Sequence, residues 1–267
     1  MNNNIVSNAG YLFYRKYYNF NKEKWIDSDI QEKILKLNLT GVSEALTKNQ
    51  INLISFELIT EYPGLLVGSG YFHDISANQN EDNKKNNEDS NDGFKIGFYF
   101  DYSTGLPVIP GSSIKGALKS YLSDNMDEEE SYFDFVLEYL HSIKKIKNSK
   151  IDQKAFIKKV FERINQEDQH ISVYKRDIFF DAIPVYSKSE SKTFAEDYTT
   201  PHLNELKNPI PIKFLKVMPG VKYKFNFILK DDQELNINAE EKKEIFRYVI
   251  KDLGLGAKTN VGYGKFK

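Results

Sequence analysis

Residues 238–266, NAEEKKEIFRYVIKDLGLGAKTNVGYGKF, place a capped helix, its stop and a glycine-rich tail in one run. Asn238 with Glu241 three positions on makes a near capping box, and Ile245, Phe246, Val249 and Leu253 fall on one face of the helix that follows. Gly254 stops it. The tail then carries Gly254, Gly256, Gly262 and Gly264, with Lys258, Thr259, Asn260 and Lys265 set among them. Glycine opens backbone conformations closed to other residues and lets bare N–H groups approach a ligand, which is how main chain cradles phosphate. A plain C-terminal hairpin is the competing reading of the same residues. Either way, a short strand is expected over about 261–266.

Residues 106–122, LPVIPGSSIKGALKSYL, are the second informative stretch. Ile114, Ala117, Leu118, Tyr121 and Leu122 recur at the spacing of one buried helical face. Gly111, Ser112 and Ser113 sit at the helix start after Pro110, which favours an extended entry. Free N–H groups, two hydroxyls, the positive end of the helix dipole and Lys115 in the first turn compose an anion site, with an ordinary serine cap as the alternative. Lys119 lies one turn further on. Neither glycine stretch matches a nucleotide-binding P-loop, which needs Lys and then Ser or Thr directly after the second glycine. Gly116 is followed by Ala117 and Leu118, and the run Gly256, Ala257, Lys258, Thr259 has too few residues after it for the required helix.

The remaining elements set the fold class. Residues 11–20 (YLFYRKYYNF) read as aromatic anchors of an N-terminal segment, or as stacking platforms interleaved with Arg15 and Lys16. A helix is expected from 28 to 46, interrupted near Thr40, and a strand over 51–60 that feeds a glycine loop. His73 and Asp74 follow, a pair able to transfer a proton or merely to bond within a surface turn. Residues 94–100 (FKIGFYF) read as a strand, and 127–147 and 152–166 as two amphipathic helices of an insertion over 127–170. Residues 177–186 (DIFFDAIPVY) are strand-like, 194–208 irregular, and 212–217 and 221–229 strands. In the last of these Val221, Tyr223, Phe225, Phe227 and Leu229 alternate with Lys222, Lys224 and Asn226. Set in order, with insertions aside, these elements approximate β-α-β-β-α-β. That is an α+β, ferredoxin-like arrangement with helices on one face of an antiparallel sheet, expected as a single domain over 1–267.

Composition narrows the class of protein. The chain has 267 residues, 40% hydrophobic and 14% aromatic, with no cysteine, and no apolar run approaches bilayer-crossing length. The N-terminus lacks the basic and apolar regions of a secretory signal, so a cytoplasmic protein without membrane partner, disulfides or thiolate metal sites is expected. Its four histidines show no metal-ligand spacing, and no cofactor is expected. A net charge of −1 argues against a strongly basic nucleic-acid binder. That average hides residues 76–93 (SANQNEDNKKNNEDSNDG), whose five acids and two lysines give −3 and whose composition reads as a mobile acidic loop within 71–93. Any basic surface is therefore local.

Taken together, LPVIPGSSIKGALKSYL and the tail GLGAKTNVGYGKF resemble the RAMP superfamily of CRISPR-associated proteins, whose glycine-rich loop closes a ferredoxin-like, RRM-like domain. GYLFYRKYY, FFDAIPVY, DYTTPH and NPIPIKFLKVMPGVKYKF are similar to the sixth-subunit family of the type III-B (Cmr) effector complex, and the likeness spans nearly the whole chain. The resemblance implies a non-catalytic subunit in antiviral defence. Such a subunit holds the 3′ part of the crRNA and its duplex with target RNA beside other RAMP subunits. Its RNA contacts would be Gly111, Ser112, Ser113, Lys115 and Lys119 at the helix start, and Gly254, Gly256, Lys258, Thr259, Asn260, Gly262 and Lys265 in the tail, converging on one cationic groove. A metal-independent RAMP endoribonuclease using His73 or His202 is the alternative, and a scaffold without RNA contact a third.

Overall fold

A computed structural model describes residues 8–17, 27–37, 39, 53–68, 94, 96, 98–124, 131–165, 167–186, 192–199 and 211–267. In chain order come α1 (Ala9–Tyr11), which runs into a π-helical turn (Leu12–Lys16), then α2 (Ser28–Leu35), β1 (Ile54–Ile59), α3 (Gly111–Leu122) and α4 (Tyr132–Ser142). Next are α5 (Gln153–Ile157) with a second π-helical turn (Lys158–Glu162), β2 (Ile178–Phe179) and β3 (Ile183–Val185). β4 (Phe194–Thr199), β5 (Ile212–Val217), β6 (Lys222–Ile228) and α6 (Ala239–Leu253) complete the set. The fold is α+β with antiparallel sheets.

β6 is the axis of the main sheet. Its odd positions Tyr223, Phe225 and Phe227 are fully buried on the helical side, whereas Lys222 and Lys224 stand half-buried on the other. That period of two is what an antiparallel sheet covered on one face requires. β1 runs antiparallel to it from Ile54 opposite Phe227 to Ile59 opposite Lys222, and β2 and β3 pair with its other edge. The end of the chain returns to β1. Ile59 and Lys267 exchange two main-chain bonds of 2.9 Å, and Glu61 N–H donates to the Lys265 carbonyl at 2.9 Å. β4 and β5 form a separate two-stranded ribbon, joined to the segment after β1 through reciprocal bonds between Leu65 and Val217.

α3 and α6 pack on the buried face and on each other. The Phe246 ring lies 5.4 Å from Phe179 and 5.8 Å from Phe227, so α6 is seated on both β2 and β6. α6 begins with the capping box that Asn238 and Glu241 predict, both reciprocal bonds being present. α4, α5 and the π-helical turn after it contribute Phe133, Val136, Leu137, Phe156 and Val160 to the same continuous core. Of the N-terminal aromatics, Phe13 and Tyr17 are fully buried. The Tyr14 hydroxyl donates to the Phe98 carbonyl at 2.6 Å and accepts from Phe100 N–H at 3.1 Å. These three rings anchor the segment to the core, the two full burials, of Phe13 and Tyr17, contributing about 1.5–3 kcal/mol each.

Several elements differ from their sequence reading. Residues 98–100 are not a strand: Phe98 and Phe100 plug the core against Phe194, and among the described residues Tyr99 N–H is the one main-chain donor of the three that reaches a neighbouring carbonyl, that of Val67. β4 replaces the start of the irregular stretch expected over 194–208, because its residues FAEDYT carry no alternation and its stability comes from pairing with β5; 200–208 lie outside the described residues. The strand expected over 177–186 is two short ones, broken where Asp181 turns to α3. The tail forms a 3-10 turn (Thr259–Val261) and a single bridge between Thr60 and Phe266, not a strand. The helix expected from 28 is described only as Ser28–Leu35, and the 71–93 loop, His73, Asp74 and His202 lie outside the described residues.

Candidate nucleic-acid interface

The tail is a closed loop pinned to the segment that follows β1. Leu255 N–H donates to Gly264 O, Gly264 N–H to Gly64 O and Ala257 N–H to Leu66 O, at 2.8–2.9 Å. Such close approach leaves no room for side chains. Gly256 has φ +99°, and a Cβ there would meet Leu66 O at 2.4 Å; Gly264 has φ +73°, and its Cβ would lie 1.8 Å from Leu255 O. Lys258 also adopts the left-handed region, at φ +61°, and opens the 3-10 turn. Among the described residues no acceptor pairs with the main-chain N–H groups of Lys258, Thr259 or Asn260.

α3 starts beside this loop. Pro110 supplies no side-chain cap, and the Gly111 N–H donates instead to Asp181 Oδ1 at 2.7 Å. The end of β2 presses so close that a Cβ on Gly111 would lie 2.3 Å from Phe179 O. A carboxylate therefore already holds the first N–H of the expected anion site. Ser112 and Ser113 remain exposed, with N–H groups that pair with no acceptor among the described residues. Between helix and tail lies a cleft of about 310 Å³, lined by Leu65, Val67, Ile109, Ser113, Ala117, Leu255 and Gly256 among others. The two glycine stretches meet there, and the walls are aliphatic.

The lysines are not gathered into one groove. Residues 113 and 117 face the cleft, while 115 and 119, half a turn further round the helix, face the other flank. Lys115 Nζ sits 5.9 Å from the Phe179 ring centroid, and Lys119 pairs with Glu162 at 2.8 Å. Burial, and then the like charges of Arg163, Lys119 and Arg176, hold the Lys115 ammonium below its ordinary pKa. Lys265 Nζ donates to the Asp252 carbonyl at 2.7 Å, and Lys258 Nζ reaches Thr199 Oγ1 at 3.4 Å. Gly254 and Gly262 shape the loop and Asn260 is exposed at its tip.

Sequence reasoning missed a network that ties the tail to the ribbon. Asp197 Oδ2 on β4 accepts from the Tyr263 hydroxyl at 2.7 Å and from Lys216 Nζ at 2.5 Å. Burial opposes ionisation of Asp197, but the hydrogen bonds from Lys216 and Tyr263 outweigh it and hold its carboxyl below the usual range. Tyr263 moves the opposite way, raised by burial and then by the bond to Asp197. No local signal marks this cluster, although Asp197 lies in the DYTTPH stretch. Among the described residues no group of three or more His, Asp and Glu side chains could hold a metal ion.

The RAMP superfamily model matches residues 57–267, which takes in all of the sheet but the start of β1, the cleft and the tail, and the chain belongs to that superfamily. Among curated proteins it is similar to the CRISPR system Cmr subunit Cmr6 of Pyrococcus furiosus, with 28% identity over 200 residues, 60% of this chain and 58% of that protein. It is likewise similar to Cmr6 of Saccharolobus solfataricus, 26% identical over 179 residues, covering 65% and 49%. The chain thus spans about half the length of these relatives. Its fold is shared with a chain in a cryo-EM structure of the type III-B Cmr-beta complex bound to cognate target RNA, at TM-score 0.52 and 23% identity, over 96% of this chain and 84% of that one.

Proposed function

We propose that this chain is a non-catalytic, RNA-holding subunit of a type III-B CRISPR ribonucleoprotein effector. It would sit in the cytoplasm beside other RAMP subunits and grip the 3′ part of the crRNA and its duplex with target RNA. The observation that carries the reading is the cleft where the α3 start and the tail converge, lined by Ser113 from the one and Gly256 and Ala257 from the other, with the N–H groups of Ser113 and of the next tail residues, Lys258 to Asn260, finding no acceptor among the described residues. Main-chain donors and serine hydroxyls grip phosphates and sugars without reading sequence. A guide-holding protein needs that indifference, because base pairing selects the target. The similarity to Cmr6 supplies the assembly, and no described helix is long and apolar enough to cross a membrane. The main sheet reads as ferredoxin-like: across it run the chain end, β1, β6 and then β2 with β3, with α3 and α6 as the two connecting helices.

Lys258 is the cation of the tail nearest those N–H groups, and its left-handed backbone tolerates alanine as it does lysine. Lys258→Ala is expected to weaken guide-RNA binding severalfold, equally across RNA sequences, and to flatten the log–log salt dependence by about 0.7–0.9, the slope carried by one neutralised phosphate. Titrations at several salt concentrations check this. Affinity unchanged at all of them would count against the cleft as an RNA site.

A further inference from the structure

On the flank of α3 turned away from the cleft, cations collect around one turn of chain. Lys115 lies over Phe179, within electrostatic reach of Arg163 and Arg176. Ile171 bridges the two segments: its N–H donates to the Arg163 main-chain carbonyl at 2.8 Å, and its own carbonyl accepts from Arg176 Nε at 2.6 Å. The nearby carboxylates are committed elsewhere, Asp177 to the buried Lys242 and Glu162 to Lys119. Among the described residues no carboxylate pairs with Lys115, Arg163 or Arg176. The turn that delivers Arg176 also carries exposed Lys175 and Tyr174, whose ring is 89% exposed and buries nothing.

Clustered cations beside an exposed aromatic face are the parts of a platform for an unpaired nucleic-acid strand, with phosphates on the cations and a base on the ring. We propose that Lys115, Arg163, Tyr174, Lys175 and Arg176 form a second RNA contact, for a single-stranded stretch, on the flank of α3 opposite the cleft. It rests on the RNA-holding role proposed above. Ser112, Gly116 and Ser120 lie exposed between the two sites, and nothing stands within 4 Å of where a Gly116 Cβ would be, so a strand can cross the helix closely. An acidic protein segment would use the same cations, but it has no base to stack on Tyr174.

The test is fluorescence anisotropy of the full chain with a labelled oligouridine and with an RNA duplex of equal length. Three variants are compared: Arg163→Glu with Lys175→Glu, Tyr174→Ala, and Lys258→Ala. The charge reversal alters exposed side chains, so thermal unfolding should not move. It is expected to weaken oligouridine binding about tenfold or more and to flatten its salt dependence. Tyr174→Ala should weaken oligouridine about tenfold while leaving the salt slope and duplex binding nearly as they were. Wild-type affinity in both flank variants, with Lys258→Ala still weakened, would overturn this second site and leave the cleft standing. Unchanged affinity in all three would overturn both. Loss on charge reversal alone, with polyglutamate displacing oligouridine equally well, would assign the flank to an acidic protein partner and overturn the RNA reading.

Discussion

Gly264→Ala is expected to destabilise the chain by more than about 3 kcal/mol and to abolish RNA binding at the cleft. Two effects add: a left-handed backbone disfavours an L side chain by about 1–2 kcal/mol, and the new methyl would stand 1.8 Å from the Leu255 carbonyl oxygen. The main chain must then move, breaking the bonds from Leu255 to Gly264 and from Gly264 to Gly64 that close the tail. Gly220→Ala separates the two effects. Gly220 has φ +92° but no atom within 4 Å of its Cβ position, so only the backbone cost of about 1–2 kcal/mol should appear. Urea unfolding of both variants reads the difference. Equal, small losses would mean that the tail is not held as tightly as its hydrogen bonds indicate.

Asp177→Asn is expected to cost about 3–5 kcal/mol. The Lys242 and Asp177 side chains are only 4% and 3% exposed and meet at 2.7 Å, where α6 crosses the start of β2. Asparagine keeps an oxygen for the Lys230 N–H, which Asp177 Oδ1 accepts at 2.8 Å, so the change removes the charge and little else. Lys242 is then a buried cation without a counter-charge. Adding Lys242→Met should restore most of the stability, because it removes the stranded charge and keeps the volume. A loss below about 1 kcal/mol in the single variant, or no recovery in the double, would contradict a dry, paired site.

The elements that sequence revealed are those whose signals are local. α6 carries its cap and its stop within seventeen residues of chain, and β6 shows its buried face by alternation alone. α3 is legible from its apolar spacing, and the closeness of its start to the tail follows from both helices lying on one sheet face. What stays hidden is set by partners distant in sequence. Asp181 caps Gly111 from seventy residues away, and Tyr263 meets Asp197 across sixty-six. β4 needs β5 to be a strand. The expectation of one cationic groove fails for a geometric reason: Lys115 and Lys119 share the helix with Ser113 and Ala117 but project to the opposite flank. The glycine stretches thus build a largely apolar cleft, with Lys115 and Lys119 set apart from it.

The most direct test of the central claim is photo-crosslinking of guide RNA carrying 4-thiouridine to the full chain, with the linked peptides mapped by mass spectrometry. Crosslinks on peptides spanning residues 106–119 and 255–265, abolished together in Gly264→Ala, are the result expected if the α3 start and the tail hold one strand. Crosslinks confined to other surfaces, or none on either peptide, would contradict it.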